Sequence, residues 1–369
     1  MKPFKPNLLP LSEIDWESHV QLISRANRAL ASYNGTLYGI PNPTVLLAPL
    51  ATREAVLSSK IEGTQASFDD VLKFEAGEPV KGAERETDIQ EILNYRRALN
   101  VAEKELKAKP LHLNLLLRLH EILLNSVRGR DKARGRFRTD QNWIGPEGCT
   151  IDEASFVPPD PMDLQDLLNN WEKYYHAEER DPLVQLAVVH AQFEIIHPFL
   201  DGNGRMGRIL IPLFLCEKGV LGGPGFYLSE YLEANRDLYV ERLRQLGTPG
   251  SWDRWINFFL TATEAQAKTN EAKARKIVDL YVRLKQKVLD LTHSQFAVPM
   301  LDLIFKRPVF RSSDIGNGVG MPTGPMVWHM LKKLREAGVL KVVREGKAGR
   351  PWVLALAELI NLCEGKDVI

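Results

Sequence analysis

Apolar residues recur at helical spacing along much of this 369-residue chain. Leu113, Leu116, Leu117, Leu119, His120, Leu123 and Leu124 form one stripe, and Ile277, Leu280, Tyr281, Leu284, Val288 and Leu291 form another. From Leu183 to Ile196 nearly every position is apolar, which predicts a helix buried on all sides. Strand-like stretches are short. One covers Asn142 to Val157, reached through Gly129 and Gly135 and closed by Pro158-Pro159, and a pair lies near the C-terminus. The pattern predicts a mainly α protein with one short β-hairpin in its core. Four stretches follow: an N-terminal helical region (1–110), a helical core (111–263), a connecting helix (264–296, polar-faced from about Gln266 to Leu291) and a small C-terminal module (297–369).

Bulk composition narrows the class without naming a function. Hydrophobic residues at 44% and charged residues at 26% are ordinary for a globular protein with a sizeable core. A formal net charge of +1 points the whole chain toward neither nucleic acid nor membrane. No apolar run approaches the length of a membrane helix. Met1 to Pro10 is interrupted by Pro3, Pro6 and Pro10, so no signal peptide is expected. Cys149, Cys216 and Cys363 are far apart and lack metal-ligand spacing, which suits a reducing cytoplasm.

Chemistry concentrates directly after the apolar helix, in His197-Pro198-Phe199-Leu200-Asp201-Gly202-Asn203-Gly204-Arg205-Met206-Gly207-Arg208. An apolar run resumes at Ile209, which sets this loop at a helix N-terminus, where free N–H groups and the dipole favour an anion. Gly202 and Gly204 admit close backbone approach to phosphate oxygens. Arg205 and Arg208 share a helix face and can grip phosphates bidentately. Asp201 offers a hard oxygen suited to Mg²⁺, and His197 can accept a proton near neutrality. A lone Gly-x-Gly would mean only a glycine-rich helix start; here it is surrounded by every group that phosphate chemistry needs. His190, outside this segment, reads as a satisfied core histidine.

The segment resembles the motif of Fic-domain proteins, His-x-Phe-x-(Asp/Glu)-Gly-Asn-Gly-Arg-x-x-Arg, at every fixed position. That resemblance implies a helical core moving AMP from ATP to a Ser, Thr or Tyr hydroxyl of a target protein, and of the enzyme itself, with release of pyrophosphate. It implies His197 as general base, Asp201 as the Mg²⁺ ligand, and Gly202, Asn203 and Gly204 as the phosphate cradle. Arg205 and Arg208 would bind the outer phosphates, Gly207 belongs to the same ATP-binding set, and Phe199 would pack beneath the loop. Tyr231, Asn235 and Tyr239 follow at helical spacing, and the family likeness puts Tyr239 on the adenine side of the ATP site.

Ahead of the core, a helix predicted in the second half of Thr44–Ile61 carries Leu50, Leu57 and Ile61 on one face and ends at Glu62-Gly63. A glutamate at a helix C-terminus has the wrong sign for the dipole, and a broken local rule invites a functional explanation. Ser58-Ser59-Lys60-Ile61-Glu62-Gly63 resembles the Fic inhibitory motif (Ser/Thr)-x-x-x-Glu-(Gly/Asn). That implies Ser58, Glu62 and Gly63 as an inhibitory element, with Glu62 reaching into the ATP site against Arg208. The hairpin after Gly135-Arg136-Phe137-Arg138 resembles the family's flap, which can pair with an extended target segment.

Phe310 to Leu356 reads as a winged helix. A short helix over Ser312–Ile315 precedes a turn with Gly316, Gly318 and Gly320. A second helix, about Pro322 to Ala337, is expected to turn Met326, Met330, Leu331 and Leu334 inward, and Val339–Val343, a Gly346–Gly349 turn and Trp352–Leu356 form the wing. Between Lys306 and Arg350, ten Lys/Arg stand against three Asp/Glu, a net of +7. Lys332, Lys333 and Arg335 sit at the wrong end of the second helix for base readout. DNA and protein therefore stay open as partners of this module, as does a homodimer. The alternative function is a DNA-binding regulator whose core only senses nucleotide.

Overall fold

The computed structural model describes residues 2–125, 127, 132–146, 148–223, 225–318, 320–322, 324–347 and 350–369. Gly129 and Gly349, named above as turn residues, lie outside them. In chain order the helices are α1 (Trp16–Tyr38), α2 (Pro43–Leu46), α3 (Ala48–Ile61), α4 (Phe68–Glu75), α5 (Ala83–Leu106), α6 (Leu113–Leu123), α7 (Leu164–His176) and α8 (Pro182–Ile196). They continue as α9 (Asn203–Glu217), α10 (Ser229–Ala234), α11 (Arg236–Arg244), α12 (Ser251–Thr292), α13 (Ala297–Lys306), α14 (Ser312–Gly316), α15 (Gly324–Glu336) and α16 (Ala357–Glu364). Three short strands, β1 (Val309–Arg311), β2 (Lys341–Arg344) and β3 (Val353–Ala355), form one antiparallel sheet in the order β1-β3-β2. The chain is mainly α, as its periodicity predicts.

The residues pack as two compact units, one of residues 1–34, 57–64 and 93–268, the other of 35–56, 65–92 and 269–369. Helices α1, α3, α5 and α12 each contribute residues to both.

The first unit is built around α8. Asp181 caps this helix by accepting from the N–H groups of Leu183 and Val184, with Pro182 in its first turn. Nearly all of α8 is buried, against α7 and α9, as its uninterrupted apolarity requires. Trp171 and Trp255 donate their indole N–H groups to the carbonyls of Val189 and Ala187 on α8, so these large side chains bury without losing a hydrogen bond. Among the described residues the expected hairpin shows a single bridge, Ile144 with Phe156, around a 3₁₀ turn at Ile151–Glu153. Thr150 and Glu153 form a capping box there, and this local bonding takes the place of further ladder pairs.

Helix α12 begins well before the connecting helix expected from about Gln266. No glycine or proline interrupts Ser251 to Thr292, so the buried aromatic stretch Trp255–Phe259 and the polar-faced stretch form one 42-residue helix. Tyr231 and Tyr239 fall on two successive helices, because α10 ends and α11 begins at Asn235.

In the second unit, β1 packs on α4 and α13 packs on α2. Arg311 donates through Nε to the Ala76 carbonyl at the end of α4, 2.6 Å away, and Arg344 pairs with Glu78 at 2.8 Å. On α15 the buried set is Val327, Met330, Leu331 and Leu334, a strict i, i+3, i+4, i+7 stripe. Met326 was expected to face inward, but it lies just off that stripe and is exposed. Among the described residues no helix is long and apolar enough to cross a membrane.

Candidate active site

The loop from His197 to Gly202 is a turn between two buried helices, and its shape follows from where each backbone group finds a partner. His197 ends α8 in the left-handed region (φ 50°), and Gly202 starts α9 at φ 81°, a conformation glycine adopts without steric cost. Asn203 closes the turn on itself: its Oδ1 accepts from Phe199 N–H at 2.9 Å and its Nδ2 donates to Phe199 O at 2.8 Å. Phe199 is fully buried beneath the loop and stacks on His120 at 3.8 Å between ring centroids.

Two residues outside the motif hold this turn to the flap, and sequence reasoning passed over both. His120, which we grouped with the α6 apolar stripe, accepts Gly135 N–H on Nδ1 at 3.0 Å. Its Nε2 must then carry the proton, which it donates to Asp201 O at 2.9 Å. Burial pushes its pKa down to about 4, so it stays neutral. Arg138 is buried, and its guanidinium donates to the carbonyls of His197 (2.9 Å), Pro159 (2.5 Å) and Ile196 (3.4 Å), while its N–H donates to Pro198 O. It thereby satisfies carbonyls that the end of α8 leaves unpaired. The sequence signal was a polar residue inside an apolar stripe in one case and an arginine alternating with Phe137 in the other.

His197 Nδ1 faces the Glu194 carbonyl at 3.3 Å, which assigns the proton to Nδ1 and leaves Nε2 as an acceptor. Burial lowers its pKa to about 4; the Glu194 carbonyl and the charge of Glu62 oppose this, and the nearby Arg138 adds to it. The imidazole is therefore neutral at pH 7, the form a general base requires. Asp201 is partly exposed, 3.5 Å from Arg205 Nη2. Among the described residues no three His, Cys, Asp or Glu side chains cluster as a metal cage. Asp201 stands as a single carboxylate, which fits a Mg²⁺ shared with nucleotide phosphates and not one enclosed by protein alone.

Arg208 is buried one turn into α9 and is occupied by α3. It donates through Nε to Ser58 Oγ (2.8 Å) and through Nη2 to Ser58 O (2.9 Å) and Glu62 Oε1 (2.6 Å). The Glu62 side chain is 41% exposed, yet its Oε1 lies directly over Gly204, where any Cβ would collide with it. Burial raises the Glu62 pKa, but the adjacent Arg208, with Arg205 beyond it, outweighs that and holds the carboxyl ionised. The end of α3 is fixed by Arg236 Nε donating to Ile61 O (3.0 Å) and by a Lys60–Glu233 pair (2.7 Å). Gly63, at φ 98°, makes the turn that follows. The carboxylate that broke the dipole rule thus reaches a buried guanidinium 146 residues away.

Gly207 and Tyr239 lie behind the loop. His190 donates from Nδ1 to Gly207 O (3.1 Å) and accepts the Tyr239 hydroxyl on Nε2 (3.0 Å), making it the satisfied core histidine expected. Tyr239 is buried among His190, Trp255 and Phe258. Glu194, the only carboxylate of α8, lies against Gly207 and near Arg208; a lone acid in an otherwise apolar helix was the signal for it.

Residues 20–104 match the family model described as Fic/DOC family N-terminal, and residues 110–215 match that of the Fic/DOC family, together more than half of the 369 residues. The chain is 28% identical over 199 residues to a probable protein adenylyltransferase of Aquifex aeolicus, covering 53% of this chain and 55% of that protein. It is 28% identical over 212 residues to the protein adenylyltransferase Fic of Drosophila ananassae, covering 57% of this chain and 35% of the relative. The chain thus spans about half or less of the length of these curated relatives. The fold is similar to that of a Fic family protein from Desulfovibrio desulfuricans, with a TM-score of 0.58 at 18% identity over 96% of this chain and 98% of that one.

Proposed function

Because the chain belongs to the Fic/DOC family, we propose that it is a protein adenylyltransferase, held in check by Glu62 on Arg208. The observation that carries this reading is the convergence on one loop of a neutral histidine with a free Nε2, a carboxylate and two buried arginines, one of them plugged by a glutamate from α3. In the reaction, the target hydroxyl gives its proton to His197 Nε2 as its oxygen bonds the α-phosphorus of ATP. The bond from that phosphorus to the bridging oxygen breaks, and pyrophosphate leaves. Arg205 and Arg208 neutralise and orient the outer phosphates, while the α9 N-terminus faces the phosphate chain; positioning and charge neutralisation do most of the work in such transfers. A Mg²⁺ at Asp201 would add charge neutralisation on the same phosphates.

Trp143 and Ile144 are exposed on the flap, which suits an extended target segment lying along it. The order α13, β1, α14, α15, β2, β3 supports the reading of the C-terminal module as a winged helix. Most of its candidate cations are engaged within their own unit: Lys332 lies over Trp328 and near Glu336, Lys333 donates to Leu291 O, and Arg335 covers Trp352 beside Glu345. These bonds weigh against a DNA-binding regulator as the main function. The decisive experiment incubates labelled ATP with the Glu62→Gly protein and a cell lysate. Transfer of label from the α-phosphate to protein is expected; its absence, with label from the γ-phosphate transferred instead, would overturn the reading.

A further inference from the structure

Among the described residues Arg208 bonds the carboxyl of Glu62, and a second carboxyl, that of Glu194, stands against the α9 backbone beside it. Glu194 stands on the last turn of α8, and its Oε1 is enclosed without a hydrogen-bond partner among the described residues. That oxygen lies against the α9 backbone one residue before Arg208, since a Cβ on Gly207 would collide with it. Buried polar atoms are ordinarily paired, so an orphan oxygen against the backbone next to Arg208 calls for a second arrangement in which it is used.

Resting on the proposed nucleotide reading, we infer that Glu194 is the positioning residue for Arg208, the acid that takes over the guanidinium when Glu62 withdraws and holds it for the outer phosphates of ATP. The two acids differ in freedom. Glu62 is partly exposed at the end of α3, whereas Glu194 belongs to a helix buried on nearly every side. Their charges are also linked. Burial, together with the charge of Glu62, pushes the Glu194 carboxyl up to about 8 against the pull of Arg208, so it is protonated while Glu62 is in place. Departure of Glu62 removes the repulsion and leaves the attraction. Glu194 then ionises more readily and offers Arg208 a charge-assisted bond from the protein side, leaving the opposite edge of the guanidinium for phosphate.

The test is calorimetric titration of the full chain with ATP and with AMP, which lacks the outer phosphates. The proteins are Glu62→Gly, Glu62→Gly/Glu194→Ala and Glu62→Gly/Glu194→Gln. Removing the carboxyl should weaken ATP binding about tenfold, the loss expected for one charge-assisted hydrogen bond, and leave AMP binding unaltered. Glutamine keeps an acceptor oxygen and should restore part of the loss. Should the alanine protein fail to fold, the glutamine protein carries the test alone through a smaller ATP-specific loss. Equal ATP affinity in all three proteins would overturn the inference, and so would equal weakening of ATP and AMP with a lowered melting temperature. Failure of Glu62→Gly itself to bind ATP would overturn the nucleotide reading as well.

Discussion

In the proposed reading Glu62 and the outer phosphates of ATP compete for one guanidinium, and that competition sets the expected behaviour of single variants. With Glu62 on Arg208 a triphosphate can enter only with its terminal phosphate displaced and its α-phosphorus out of line. A misplacement of about 1 Å costs roughly a hundredfold in rate, so Glu62→Gly should raise self-modification by about that factor, a larger effect than its effect on ATP affinity. Arg208→Ala should not reproduce the gain, since it removes the phosphate ligand too; timed labelling of the three proteins separates the cases. His197→Ala should lose about 10²–10⁴-fold in transfer while still binding nucleotide, because a general base contributes that much without holding phosphate. The proton on His197 supplies a pH test. The neutral base is competent above its pKa and lost as pH falls through it. Burial holds that pKa near about 4, so the acid limb of kcat/KM should lie well below the ordinary histidine value. A limb at about 6.5 would contradict the buried, neutral imidazole.

At the scale of elements, the site depends on the end of α8 being fixed, and Arg138 fixes it. Its guanidinium serves carbonyls from the flap (Pro159) and from α8 and the loop (Ile196, His197), and burial lowers its pKa only to about 10, so it remains a cation. Arg138→Met should cost about 3 kcal/mol of stability, since several buried acceptors lose their donor at about 1–3 kcal/mol each with partial rehydration. Denaturant unfolding measures that loss. The same variant should move the acid limb of kcat/KM upward, because Arg138 is one of the groups holding the His197 pKa down. A purely mechanical role for Arg138 would lower stability and leave the limb in place.

At the scale of the whole molecule, the net charge of +7 between Lys306 and Arg350 predicts an affinity for polyanions, and of these cations Arg344 is paired with Glu78 from outside the stretch. Random duplex DNA should bind no tighter than about 10⁻⁶ M at physiological salt and fall off steeply as salt rises; binding indifferent to salt would exclude an electrostatic origin. The sequence by itself determined what local rules control. Periodicity identified α6, unbroken apolarity identified α8, the apolar flanks of the glycine-rich loop marked the site proposed for phosphate, and Glu62 stood out because it opposed the dipole of its own helix. Residues paired across long separations were legible only in the fold. His120 looked like one more stripe residue, Arg138 like a flap residue, and Glu194 like a gap in an apolar helix, because each acts on a partner distant in sequence or on backbone groups that no side-chain pattern reports. The tertiary structure also decided that residues 35–56 and 65–92 pack with 269–369. Burial of an amphipathic face requires some apolar partner, and a pattern of apolar positions records the need without recording which partner fills it.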